Sequence, residues 1–135
     1  MTRTEARELI MQLLFQMEIQ QDYSDAIKNK YMEEHFNKKT AQRAFAEELL
    51  SAVTEHLSEI DDKINQYSAK WDTSRMAKVD LAITRLAAGE VFYMEQIPDP
   101  VAINEAVDMA KKYSTDESRK FINGLLGQIV KSKDA

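Results

Sequence analysis

The run Val79-Asp80-Leu81-Ala82-Ile83-Thr84-Arg85-Leu86-Ala87-Ala88-Gly89-Glu90-Val91-Phe92 decides the fold. Val79, Leu81, Ala82, Ile83, Leu86, Ala87, Val91 and Phe92 cover most of a helical circumference. A helix that is apolar nearly all round sits at the centre of a fold, not at its rim. The pattern halts just upstream at Asp72-Thr73-Ser74, so Thr73 or Ser74 is expected to cap a helix running to about Glu95. Arg85 and Glu90 lie inside the run, and buried charges must be paired. Pairing with other helices is expected, for example with Glu105.

Downstream, Ile97-Pro98-Asp99-Pro100 is the sharpest break in the chain. The residue before a proline is pushed out of the helical region. Asp99 is then expected to cap the next helix and Pro100 to open it. Ile103, Ala106, Val107 and Ala110 carry that helix to Tyr113-Ser114-Thr115. Ser114-x-x-Glu117 has the capping-box form, and Phe121, Ile122, Leu125, Leu126 and Ile129 then point inward. Asn123-Gly124 usually signals a turn. The apolar spacing keeps helical phase across it, so the helix is read as continuous, with the glycine allowing close helix contact.

Upstream, Ala6, Leu9, Ile10, Leu13, Leu14 and Met17 recur at spacings of three and four, and this first helix fades near Gln20–Gln21. A shorter helix over 24–35 turns Ala26, Ile27, Tyr31 and Met32 inward. Ala41, Phe45, Leu49, Val53 and Leu57 mark a third, with Thr40 a cap candidate; Ile60, Ile64 and Tyr67 mark a fourth. The fold class is all-α: seven helices with short connections, in two small bundles meeting along the central helix. A single domain is expected, with an N-terminal half of about 1–56 and a C-terminal half of about 57–135.

Composition agrees. The chain has 135 residues, 44% hydrophobic and 30% charged, enough to bury one core. Three glycines and two prolines argue against a sheet protein. No cysteine means no disulfide, thiolate metal site or cysteine nucleophile. The longest apolar stretch, Leu81 to Met94, is cut by Arg85 and Glu90, short of the roughly 18 residues a membrane span needs. Glu5 and Glu8 interrupt the N-terminal apolar run, against a signal peptide. The chain reads as soluble and cytoplasmic.

Enzymatic signals are thin. The two histidines, His35 and His56, lie in no metal-ligand spacing and read as surface or cap residues. There is no glycine-rich phosphate loop and no G-x-S-x-G. The expectation is a non-enzyme without cofactor or metal. Charge is unevenly spread. Residues 1–110 carry 12 Lys+Arg against 20 Asp+Glu, a net of −8, and residues 111–135 carry 6 against 3, a net of +3. Arg3 and Arg7, one helical turn apart, form a second basic group on one face. Lys111-Lys112-Tyr113 and Arg119-Lys120-Phe121 interleave cations and aromatics, the composition of a surface that holds phosphates and stacks unpaired bases.

These residues carry a resemblance. Arg7-Glu8-x-x-x-Gln12-x-Leu14-Phe15, then Trp71 and Arg75 ahead of Val79-Asp80-x-Ala82-Ile83-x-Arg85-Leu86-Ala87, resemble the NusB transcription antitermination family. The C-terminal match is more specific: Ile97-Pro98, Val101-Ala102-Ile103-Asn104-Glu105-Ala106-Val107, Ala110-Lys111, and Ser118-x-Lys120-Phe121-x-Asn123-Gly124-x-Leu126. The resemblance implies an all-helical fold of two three-helix halves. It implies a non-catalytic factor that binds boxA-type RNA of ribosomal RNA leaders with NusE, a small-subunit ribosomal protein, and joins elongating RNA polymerase. It places RNA on Arg3, Arg7, Glu117, Lys120 and Phe121, and NusE on Phe15, Tyr67 and Asp80. Thr4 and Glu5 interrupt the arginine run many members carry, which implies weak RNA binding without NusE.

Two other readings compete. One is a NusB-like RNA-binding module of an RNA cytosine methyltransferase, which requires the chain to be a fragment; Lys131-Ser132-Lys133-Asp134-Ala135 is expected to be its own end. The other is a helical partner-binding scaffold with no RNA role.

Overall fold

The computed structural model describes residues 1–69 and 71–134. Among them are seven α-helices and no strand: α1 Arg3–Gln20, α2 Asp25–His35, α3 Ala41–Thr54, α4 Leu57–Tyr67, α5 Lys78–Tyr93, α6 Asp99–Tyr113 and α7 Asp116–Ser132. No helix among the described residues is long and apolar enough to cross a membrane.

α5 is the axis of the molecule. Every residue from Asp80 to Val91 is buried, and α5 packs against α1, α3, α4, α6 and α7. α1 and α3 also pack on each other, as do α6 and α7, while α4 touches α5 and α7. The N-terminal and C-terminal helices therefore form two groups that share α5. One continuous core runs through both, with Ile10, Leu13 and Leu14 of α1, Leu49 of α3, and Ile122, Leu126 and Ile129 of α7. Met11, Met17, Met76, Met94 and Met109 fill it, as their apolar spacing implied.

The close approach of α3 and α5 depends on a glycine, but not the expected one. A Cβ on Gly89 would lie 2.7 Å from Val53 Cγ2, so a side chain there would wedge α3 from α5. Gly124 has no atom within 4 Å of its Cβ position. α7 does run unbroken through Asn123–Gly124, because the apolar phase outweighs the local turn preference.

Several helix ends differ from the sequence reading. Leu57 opens α4 and does not close α3. The break falls at Glu55–His56, where His56 Nδ1 lies 2.9 Å from the Ala52 carbonyl and the ring stacks on Tyr93 at 3.6 Å. α5 starts at Lys78, later than Thr73 or Ser74 would have it. Asp72 stabilises the preceding turn instead, its carboxylate accepting from the Arg75 amide at 3.1 Å. Pro98, in extended conformation, is the cap of α6, so Asp99 is its first helical residue and Pro100 its second. Ala26 is exposed. Thr40 caps α3 as expected, accepting from the Arg43 amide at 3.1 Å.

Two arginines pin α1 to α5. Arg7 Nε and Nη2 donate to the two carboxylate oxygens of Glu90 at 2.8 and 2.9 Å. Both side chains are sealed, at 2% and 0% exposure, and Glu105 stands 3.5 Å from Arg7 Nη1. Arg85 does not meet Glu105. It binds Asp61 of α4 with Nε and Nη2 at 2.8 and 2.7 Å, and Glu18 of α1 with Nη1 at 2.7 Å. Arg85 Nη1 and the Tyr23 hydroxyl are 2.8 Å apart, and that hydroxyl donates to Glu18 at 2.7 Å. Burial alone would raise the Glu18 carboxyl. The Tyr23 hydroxyl and the Arg85 guanidinium outweigh it and hold the group at about 2, from an ordinary 4.5. Burial and the Glu18 contact push the Tyr23 phenol up. Arg85 rises despite burial, because Asp61 and Glu18 bond its charged form.

Candidate nucleic-acid interface

The α6–α7 turn is built around Asp80, in the first turn of α5. Ser114 Oγ donates to Asp80 Oδ1 and Ser118 Oγ to Asp80 Oδ2, each at 2.6 Å. Thr115, not Ser114, caps α7: its Oγ1 accepts from the Ser118 amide at 3.0 Å. The cap of α7 therefore falls one residue later than the Ser114/Glu117 capping box would have it. Ser114 is committed to Asp80, and Glu117 becomes the second residue of the helix. Asp80 is buried with both oxygens engaged, so it fixes the leading turn of α7.

This turn carries the exposed cation–aromatic pair. Lys120 is exposed and Phe121 is half-buried, packed on the core by one side. Phe121 forms a ridge between two clefts. The first, of ≈ 250 Å³, is bounded by Trp71, Arg75, Asp80, Thr115, Glu117 and Ser118. The second is bounded by Tyr67, Lys120, Gly124, Leu125 and Gln128. Both are open, and the first is below the ~300–1,000 Å³ of sites for drug-sized molecules, a size that suits single rings. The first cleft holds Arg75 5.9 Å from the centroid of the exposed Trp71 ring, within cation–π range. Glu117 stands exposed at the rim, in the first turn of α7, where the helix dipole favours negative charge.

The structure separates the other proposed RNA residues. Arg3 is exposed, with its guanidinium 4.5 Å above the Phe45 ring of α3. Arg7 lies 5.0 Å from the same ring but is buried and spent on Glu90. Its guanidinium is not offered to a phosphate; its part is to hold the N-terminal turns of α1 in place. Lys112 and Tyr113, read from composition as a possible phosphate-and-base pair, both bond Glu8 of α1, at 3.0 and 2.8 Å. The Glu8 hydrogen bond raises the Lys112 ammonium. They serve to tie α6 to α1.

Of the residues matched to NusE, Phe15 is 38% exposed on α1, with Ile19 one turn on at 55%. Tyr67 is half-buried in the second cleft. It thus stands beside Phe121, not with Phe15. Trp71 and Arg75 entered the sequence reading only as marks of resemblance; the structure puts them across from Phe121. A lone tryptophan at a helix break was the available signal.

A family model described as the NusB family matches residues 4–131. The chain belongs to the NusB family. The transcription antitermination protein NusB of Agathobacter rectalis is 42% identical over 96% of this chain and 100% of its own length. Among solved structures, a T. maritima NusB superposes with a TM-score of 0.86 at 34% identity, covering 97% of this chain and 92% of that one. The fold also matches a structure of antitermination factors NusB and NusE in complex with double-stranded RNA, with a TM-score of 0.85 at 24% identity over 96% of both chains. At that identity the likeness is one of fold.

Proposed function

We propose that this chain is a non-enzymatic, RNA-binding transcription antitermination factor. It acts in the cytoplasm as a single domain on boxA-type RNA of ribosomal RNA leaders, with NusE, and through that complex on elongating RNA polymerase. The exposed Lys120–Phe121 pair at the leading edge of α7 carries the reading. Cation and half-exposed ring stand where a phosphate and an unpaired base are met together. Membership of a family whose relatives are antitermination proteins supports it. Arg3, Lys120 and Phe121 are the contacts proposed for RNA, with Glu117 as a restraint. Arg7 and Asp80 act as positioning residues behind them. Phe15 on α1 is proposed to face NusE, whereas Tyr67 on α4, matched to the same partner, stands on the Phe121 side.

The test is anisotropy with a boxA-type single-stranded RNA, with and without NusE, across a salt series. Each phosphate contact contributes roughly −0.7 to the slope of log affinity on log salt for single strands. The few exposed cations at this edge give an expected slope of roughly −2 to −3 for the chain alone, steepening with NusE. No RNA binding in either condition would leave the scaffold reading instead.

A further inference from the structure

Gly124 is a glycine the fold does not use. Glycine is among the poorest helix formers, yet it stands in the interior of α7. Gly89 shows what a packing glycine looks like, with Val53 Cγ2 2.7 Å from the Cβ it lacks. At Gly124 nothing stands within 4 Å, and α7 is continuous on either side. Neither helix packing nor a turn accounts for the missing side chain.

What the missing side chain does leave is the second cleft. Gly124 is one turn beyond Lys120 and three residues beyond Phe121, so it lies on their face of α7. Tyr67 of α4 stands across from it, Leu125 and Phe121 make the apolar lining, and Lys120 and Gln128 bring polar groups. We infer that this cleft is a second base-binding subsite, in which an unpaired nucleobase lies over the bare backbone of Gly124 between Tyr67 and Phe121. Every base presents a π-face to an aromatic wall. Lys120, exposed beside the cleft, is placed for the neighbouring phosphate. The Gln128 amide can both donate to and accept from a base edge. The charge of the C-terminal segment, +3 against −8 elsewhere, favours a polyanion over an acidic protein surface. With a base in each cleft, Phe121 separates two successive bases and is not an end-stop for one.

This inference rests on the RNA-binding reading above, and its test separates the two. Gly124→Ala and Gly124→Leu fill the cleft from its floor, into open space. Both should melt no lower than the wild type, since each residue is a better helix former than glycine. With a boxA-type RNA, Gly124→Leu should bind about tenfold more weakly, within the range of one base stack, and Gly124→Ala a few-fold. An abasic scan of the same RNA should find a position whose base matters to the wild type and not to Gly124→Leu. If the wild type binds and Gly124→Leu binds equally well, the subsite is wrong and the RNA-binding reading stands. If Gly124→Leu keeps RNA but loses NusE, the cleft belongs to the protein partner and the inference falls. A wild type that binds no RNA overturns both.

Discussion

The seam between α1 and α5 and the leading edge of α7 use the same residue types for opposite ends. At the seam, Arg7 and Arg85 are buried and every charge meets its opposite within a few ångströms. At the edge, Lys120 is exposed and makes no ion pair among the described residues. Desolvated, hydrogen-bonded charge holds position; solvated charge remains available to a ligand. A change at the seam should therefore cost stability and leave RNA contacts alone, and a change at the edge should do the reverse.

The strongest test of that division is Glu90→Ala. It strands the Arg7 guanidinium in the core, where Glu105, 3.5 Å away, is the remaining carboxylate paired with it among the described residues. Removing one partner of a buried pair costs ~3–5 kcal/mol. Chemical denaturation should show that loss, while the salt slope of RNA binding by the folded protein stays as in the wild type. A loss below ~1 kcal/mol would mean the seam is no more than surface pairing.

Acid attacks the other half of the seam. Glu18 is held down at about 2 in the folded protein, from an ordinary 4.5. A depressed carboxyl contributes stability that is present above its unfolded pKa and lost as pH falls through the folded one. Unfolding free energy should therefore drop between about pH 4.5 and pH 2, by up to ~2–3 kcal/mol. Arg85→Met should flatten that part of the profile.

Phe121 lies on the boundary between the two regions, one side on the core and one in the clefts. Phe121→Leu keeps apolar packing and removes the ring, so melting should change little while RNA binding weakens by ~1–3 kcal/mol. A large fall in melting with unchanged RNA affinity would move Phe121 to the seam's side of the comparison.

The smallest effect is expected from Glu117→Gln. Glu117 places a negative charge beside the site where phosphate would lie. Neutralising it should tighten RNA binding by a few tenths to ~1 kcal/mol, the usual size of a charge at a helix end. The gain should fade as salt rises. The same change should cost a little stability, because it removes a favourable dipole partner from the first turn of α7.

Periodicity made the frame legible: the all-round apolar α5 had to be central, and the phase of Ile122, Leu125, Leu126 and Ile129 carried α7 through Asn123–Gly124. It could not sort charges. Arg3 and Arg7 share a face and a spacing, and only the arrival of Glu90, 83 residues away, buries one and leaves the other out. Caps were misread by one residue where a distant group intervened: Ser114 fits a capping box locally, but Asp80 takes its hydroxyl. The candidate site was legible at Lys120 and Phe121, which are adjacent in sequence. Its opposite wall, Trp71 and Arg75, arrives from about 50 residues upstream, and nothing local announces that meeting. The roles of the glycines at 89 and 124 likewise depend on what lies across from them.

The sharing of α5 between both groups of helices has a consequence for how the molecule comes apart. From Asp80 to Val91 every residue of α5 is covered, so the amides of that stretch meet bulk solvent only when both of its shells have opened. Neither shell retains a wall without it, and no smaller cooperative unit is left to survive on its own. If RNA binds at the proposed α7 edge, its binding free energy must then appear as slowed deuterium uptake along the buried length of α5, away from Lys120 and Phe121.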